Sequence, residues 1–274
     1  MRANRKLWAA ATICLTATLA LTGCGKGDDK PADPFAGLSA DDIAKKSLDS
    51  SKAASSVHLK RTGKEEGKET TVDARMDSKG SCQGTVTTAG EGKAEMLSSD
   101  GNFYMKGDDA FWKDSTGGEE ADSEGGPDFG KLLQGRWMKT PAEEAGSEGF
   151  CELKKLFAEM EKETKTTGLT RGADADVDGT PAVVLSGKDA KKGDATLYVA
   201  RDSAKPYILR VEVTGGKAPG TATFSDYDKP VTVTAPPADQ VMPLLHELLG
   251  VVAGRGEAVA LQPGGAEDGA AAGE

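Results

Sequence analysis

Val57-His58-Leu59-Lys60 and Val72-Asp73-Ala74-Arg75-Met76 are the stretches whose reading decides the fold. In each, apolar and polar side chains alternate, the period of a strand that buries one face and wets the other. On that pattern His58, between Val57 and Leu59, is expected to face solvent. β-prone positions recur at residues 85–88, 95–97, 102–105 and 110–112. Turn residues separate these runs at short intervals: Gly63, Gly67, Lys79-Gly80, residues 90–92, Asp100-Gly101 and residues 107–109. Short strands joined by tight turns read as an antiparallel meander.

Working outward, Ser39-Ala40-Asp41-Asp42 has the composition of a helix start. Ser39 is placed to cap free amides, and two aspartates sit at the positive end of the dipole. Ile43, Ala44, Leu48 and Ala54 supply an apolar stripe, which predicts a helix over 40–54. Residues 129–133 and 150–163 also have helical spacing, the second segment carrying Cys151, Leu153, Leu156, Phe157 and Met160. Strand signals return at 182–185, 195–200, 207–213 and 221–224, and a further short helix is expected at 246–252. Helix, strands, helices and strands again, with no βαβ rhythm, indicate an α+β fold with one large antiparallel sheet and helices on one face.

The N-terminus carries a different message. Arg2, Arg5 and Lys6 precede a largely apolar run over 7–21, and Leu21-Thr22-Gly23-Cys24 closes it. A basic head, an apolar middle and small residues before the cut define an export signal. The closing tetrapeptide resembles the bacterial lipobox, in which the cysteine is acylated and becomes the mature N-terminus. Residues 1–23 are therefore expected to be a lipoprotein signal peptide. Residues 24–38, rich in Gly, Pro and Asp, are expected to be a flexible tether. The low-complexity stretch 246–274 is expected to be a mostly disordered tail, which leaves 39–245 as the folded domain.

The chain has 34 basic and 44 acidic residues. Removing the three basic residues of 1–23 leaves a net charge of −13, which argues against nucleic acid as a partner. It also argues against adhesion to anionic lipid through the protein surface, so membrane attachment is expected through the acyl chains alone. Of four cysteines, Cys14 lies in the signal and Cys24 at its end. Cys82 and Cys151 remain, an even pair expected to form a disulfide in an oxidising compartment. A metal pair or a reactive thiol would ask for a nearby Cys-x-x-Cys or histidine, and neither is present.

Catalytic signals are sparse. His58 and His246 are the only histidines, and no Gly-x-Ser-x-Gly or Ser-x-x-Lys motif occurs. Asp174-Ala175-Asp176-Val177-Asp178-Gly179 fills early positions of a calcium loop, but the position of its closing glutamate is Leu185. The segment reads instead as an Asp178-Gly179 hairpin turn. No catalytic residue, metal ligand or cofactor is assigned. Alternate strand positions supply candidates for an apolar cavity between sheet and helices: Val72, Met76, Phe103, Met105, Phe111, Leu197, Val199, Leu209, Val211 and Val213. The plainer reading of the same residues is core packing.

The order of these features resembles the actinobacterial lipoproteins of the LppX/LprG group, related in fold to the LolA/LolB lipoprotein carriers. The resemblance rests on Gly101-Asn102-Phe103-Tyr104-Met105-Lys106 with Phe111-Trp112, on Gly135-Arg136-Trp137-Met138-Lys139, and on Asp178-Gly179-Thr180-Pro181-Ala182-Val183. Residues 195–213 around Pro206, and residues 222–237 ending in Ala235-Pro236-Pro237, continue it. It implies a curved, incompletely closed antiparallel sheet, a half-barrel, with helices on its concave face. In that group the space between them admits lipid tails, and the proteins help carry lipids or lipoglycans across the envelope without catalysis or cofactor. Only Cys24 carries over by position. The Cys82/Cys151 pair, the acidic stretch 117–128 and the long tail depart from the group. The competing reading is an envelope adaptor or signalling regulator with a filled core and a protein partner.

Overall fold

Ser39 opens the first helix as its sequence suggests. In the computed structural model, which describes residues 32–115, 133–144, 151–163 and 167–242, its hydroxyl accepts the Asp42 amide at 3.1 Å. The Asp42 carboxylate reaches back to the Ser39 amide, completing a capping box. Helix α1 (Ala40–Ala53) buries Ile43, Ala44, Ser47, Leu48 and Ser51 along one face. The folded unit starts before the boundary expected at 38/39. Phe35 is 1% exposed and joins the core, so Pro34 onward belongs to the folded unit.

The meander follows as β1 (Ser56–Glu65), β2 (Lys68–Asp77), β3 (Cys82–Thr88), β4 (Gly92–Ser99) and β5 (Asn102–Gly107). Helix α2 (Asp109–Ser115), β6 (Trp137–Pro141) and helix α3 (Leu153–Glu163) lead into β7 (Thr170–Arg171) and β8 (Ala175–Val177). The chain continues through β9 (Thr180–Gly187), β10 (Asp194–Ala200), β11 (Ile208–Thr214), β12 (Gly220–Ser225) and β13 (Val241–Met242). The strands form one sheet in the order β13-β6-β5-β4-β3-β2-β1-β12-β11-β10-β9-β7, and β8 also pairs with β9. All pairings are antiparallel except β13 with β6. The sheet does not close on itself. The expected α+β half-barrel is thus the observed architecture.

Local chemistry explains the tight connections. Glu66-Gly67, Asp100-Gly101 and Asp178-Gly179 each place two consecutive residues at positive φ. That is the two-residue hairpin geometry whose twist matches paired strands. The Asp178-Gly179 turn joins Val177 to Thr180, and the Asp176 carboxylate accepts the Gly179 amide at 2.6 Å. Asp174 meanwhile pairs with Arg201 at 3.1 Å. The calcium-like spacing is therefore a hairpin, as expected.

Facing residues across the sheet align in rows. One row runs Met105, Met96, Gly84, Ala74, Leu59, Phe224. A Cβ added at Gly84 would lie 2.8 Å from that of Ala74, so the strands keep this register there because residue 84 is glycine. Helices α1 and α3 cover the face that carries this row, and Phe157 of α3 meets Phe224 with ring centroids 5.2 Å apart. A disulfide joins Cys82 at the start of β3 to Cys151 just before α3, with Cα atoms 5.4 Å apart. The far edge of the sheet is interrupted. β9 pairs first with β7 and then with β8, and between them the Gly172 amide donates to the Val184 carbonyl.

Four expectations are corrected. Residues 110–112 are helical rather than extended, because Asp108 accepts the Phe111 amide at 2.8 Å and starts α2. The helix expected from 150 begins at Leu153. His58 does not face solvent: it is 5% exposed, beneath flanking charged side chains. Leu209 lies on the opposite face from Val211. A register shift at Tyr198/Val199 turns Ile208 toward the helices and leaves Leu209 in a smaller cluster with Val177, Ala182 and Ala200. Cys24, the acidic stretch 117–128, residues 129–132 and the tail 246–274 lie outside the described residues.

Candidate functional site

Among the described residues, core side chains pack the middle of the covered face, and openings lie at one end of it. Under α1 and α3, a void of about 10 Å³ lies beside Leu197, Ile208 and Val211. Toward the Glu66-Gly67 turn and the β11–β12 connection, α3 stands clear of the sheet. Two lobes of about 480 and 810 Å³ open there, and they share Leu59, Arg61, Leu156, Glu159, Lys217 and Ala218 as lining. Both volumes lie in the range of small-molecule sites.

The strand period supplies the floor of this cleft. Leu59, Val211, Ala222 and Phe224 point the same way from three adjacent strands because Leu59 faces Phe224 and Val211 faces Ala222. Val213 extends the smaller lobe, while Val72 and Met76 floor the larger one. Leu156 and Met160, one helical turn apart, form the roof. Gly63 and Gly220 face each other at the end of this strand pair. A Cβ on either would come within 2.6 Å of the other strand's backbone carbonyls.

Charge is distributed unevenly around the rim. The smaller lobe is bordered by Arg61, Lys162, Lys191, Lys192 and Lys217, against the single carboxylate Glu159. Arg61 is held by Glu65 at 2.6 Å, and Lys192 donates its ammonium to the Lys162 carbonyl. The larger lobe is bordered by Glu65, Glu66, Glu91 and Glu159 beside Arg61 and Lys217.

Of the ten cavity candidates, Val72, Met76, Val211 and Val213 line the cleft. Leu197 borders the small void, whereas Phe103, Met105 and Val199 pack in the core. Phe111 sits on α2 in edge contact with Trp112, and Leu209 faces away. Leu59, Leu156, Met160, Ala222 and Phe224 were missed as lining, although their strand and helix periods placed them on apolar faces. The lysines carried no signal, because they come from a helix end and two separate loops.

A polar cluster occupies the opposite face. His58 Nε2 lies 2.7 Å from an Asp73 carboxylate oxygen, and Nδ1 lies 3.5 Å from the Ser225 hydroxyl and 3.6 Å from Asp226. Partial burial pushes the Asp73 carboxyl up, but the His58 hydrogen bond and the charges of His58, Lys60 and Arg75 hold it below its usual range. Serine, histidine and aspartate are thus in line. However, Ser225 is exposed, its contact is at the limit of a hydrogen bond, and the cluster faces away from the cleft. It reads as an ion-pair cluster. Among the described residues, no group of three or more His, Cys, Asp or Glu converges on a metal-sized site, and no helix is long and apolar enough to cross a membrane.

The chain is similar in fold to mycobacterial lipoproteins. Against LppX of Mycobacterium tuberculosis it is 18% identical, over 70% of this chain and 96% of that one, with a TM-score of 0.45. Against LprF of Mycobacterium bovis it is also 18% identical, over 72% and 96%, with a TM-score of 0.47. A putative outer membrane lipoprotein-sorting domain from Vibrio parahaemolyticus matches at 13% identity over 72% and 82%, with a TM-score of 0.22. No protein-family model and no curated protein sequence matches the chain.

Proposed function

We propose that this protein is an envelope lipoprotein, held at the extracytoplasmic face of the cell membrane by acyl chains on Cys24. In this reading it binds lipid or lipoglycan, or helps transfer it, in the cleft between β1, β11, β12 and α3. The observation that carries the reading is the cleft itself: an apolar floor and roof, open at one end, beside a packed core. Burying acyl chain there contributes about 0.8 kcal/mol per methylene. The surrounding side chains offer packing and charge rather than an assembled nucleophile and base, so the reading is one of binding without catalysis.

The filled region around the 10 Å³ void supports a second reading, an adaptor that engages an envelope protein. Native mass spectrometry of the detergent-extracted full chain separates the two. Co-purified lipid that is lost in Val211→Trp, with the circular-dichroism spectrum unchanged, is the expected result. Wild-type protein that carries no lipid and takes up none when offered would replace the lipid reading with the adaptor.

A further inference from the structure

We infer that the ligand is anionic: an acylated molecule whose negative headgroup sits in the smaller lobe of the cleft, against Lys162, Lys191, Lys192 and Lys217. The inference rests on the lipid reading above and deepens it. Its basis is a local reversal of charge. The chain has ten more acidic than basic residues, yet five cations and one carboxylate border this lobe. The reversal arises from folding, because the lysines come from the end of α3, the β9–β10 connection and the β11–β12 connection.

Three of these lysines have no counter-ion among the described residues. Among the described residues, the ammonium groups of Lys162, Lys191 and Lys217 have no carboxylate within ion-pair distance, although acidic residues are abundant. By contrast, Lys45, Lys52, Lys68 and Lys205 are each paired with a carboxylate. Like charges gathered without a partner repel one another, and an anion placed among them relieves that repulsion. The backbone helps to fix the group. Asp189 accepts the amides of Lys191 and Lys192 at 2.9 and 3.0 Å, and the Lys192 ammonium is tied to the carbonyl of Lys162 at the end of α3. Below the lysines, Val211, Val213 and Phe224 form apolar floor. A charged head above an apolar trough is the arrangement that an anionic amphiphile complements. A neutral lipid would leave the lysines unanswered, and a free anion would leave the trough empty.

The test offers the detergent-extracted full chain two lipids that differ only in headgroup, dipalmitoyl phosphatidylglycerol and dipalmitoyl phosphatidylcholine, and reads one-to-one complexes by native mass spectrometry. Two exposed cation–phosphate contacts correspond to a preference of about tenfold for the anionic lipid, which falls as salt is raised. Lys191→Gln/Lys217→Gln is expected to bring the two lipids near parity, and Ala222→Trp, which fills the floor, to lose both. Equal retention of the two lipids by wild-type protein overturns the headgroup inference and leaves the lipid reading standing. Retention of neither overturns both. A preference that survives in the double lysine variant refutes the lysine assignment. Displacement of phosphatidylglycerol by an equal concentration of inorganic phosphate would mean that the lobe reads a free anion, and would overturn the proposal.

Discussion

Asp228 clips three parts of the chain together, and its replacement tests how the end of the sheet is held. One carboxylate oxygen accepts the Ser55 amide at 3.0 Å and the Ser55 hydroxyl at 3.2 Å. The other accepts the Tyr207 hydroxyl at 2.6 Å and the Lys205 ammonium at 2.7 Å. The first pair binds the junction of α1 and β1, and the second binds the loop into β11. Tyr207 stacks on Tyr227 with centroids 4.2 Å apart, and the Tyr227 hydroxyl donates to the Ile208 carbonyl at 2.7 Å, where the sheet register shifts. Burial pushes the Tyr227 hydroxyl above its ordinary pKa, so it stays a donor at any working pH. Asp228 also holds a φ of 61°, which Asp and Asn tolerate and Ala does not.

Asp228→Ala removes a hydrogen bond from Tyr207 to a charged group, about 1.5 kcal/mol at the low end fitting a partly exposed site, and one from the Ser55 amide of about 1 kcal/mol. It adds a backbone cost of about 1 kcal/mol. The total is about 3.5 kcal/mol, or a fall in Tm of roughly 7–14 °C for a domain of this size. Asp228→Asn keeps the backbone conformation and one acceptor, so it should lose about 1 kcal/mol, the part owed to charge. Bonds from Lys205, Tyr207 and Ser55 hold the Asp228 carboxyl well below the usual carboxylate range. A carboxyl depressed on folding stabilises above its unfolded pKa near 4, and that contribution is lost as pH falls through the folded value. The gap between wild type and Asp228→Asn, followed by circular dichroism, should therefore be full above about pH 5 and narrow at pH 3 and below. A gap equally wide at pH 7 and pH 2, or a loss below about 0.5 kcal/mol in Asp228→Ala, would refute the reasoning.

The disulfide and the anchor give two further expectations. Cys82 and Cys151 are separated by 69 residues. Replacing both by Ser should cost about 4 kcal/mol in urea unfolding by loop-closure entropy, and non-reducing peptide mapping of wild-type protein should recover the two cysteines in one fragment. Free thiols in exported protein would contradict this. Cys24→Ser should release the protein from membranes or leave an unprocessed precursor, because stable tethering needs at least two acyl chains. Membrane retention with normal N-terminal processing would count against acylation.

Much of the fold was legible because strand period and turn chemistry agree along this chain. Val57 and Leu59, and Ala74 and Met76, are buried on the covered face as their alternation implied. Asp100-Gly101 and Asp178-Gly179 mark hairpins by themselves. What alternation does not carry is a change of register. Leu209, Val211 and Val213 have the parity of a single face, and only the pairing of β11 with β10 shows that Ile208 takes the inward place. Residues 110–112 are too short a run to have a period, so the cap supplied by Asp108 decided between helix and strand. His58 was misjudged because strand parity assigns the face but not what lies over it; Asp73 from the neighbouring strand and Asp226 beyond β12 do that. The cleft was half legible. Its floor follows from strand parity, while its cationic rim depends on loops meeting in space.

The interruption between β7 and β8 affects how copies of this protein meet. A long free strand at the edge of a sheet is a template that another chain can extend. Here the outer edge of β9 is divided between a strand of two residues and one of three, with Gly172 at the break and Asp174 paired to Arg201 beside it. An incoming strand meets only a short ladder before the pairing with β9 slips by one residue between Arg171 and Ala175. A protein confined by a lipid anchor to one membrane surface meets its own copies far more often than one dispersed in solution. On the proposed anchoring through Cys24, the broken edge disfavours extension of the sheet from one copy to the next during those encounters.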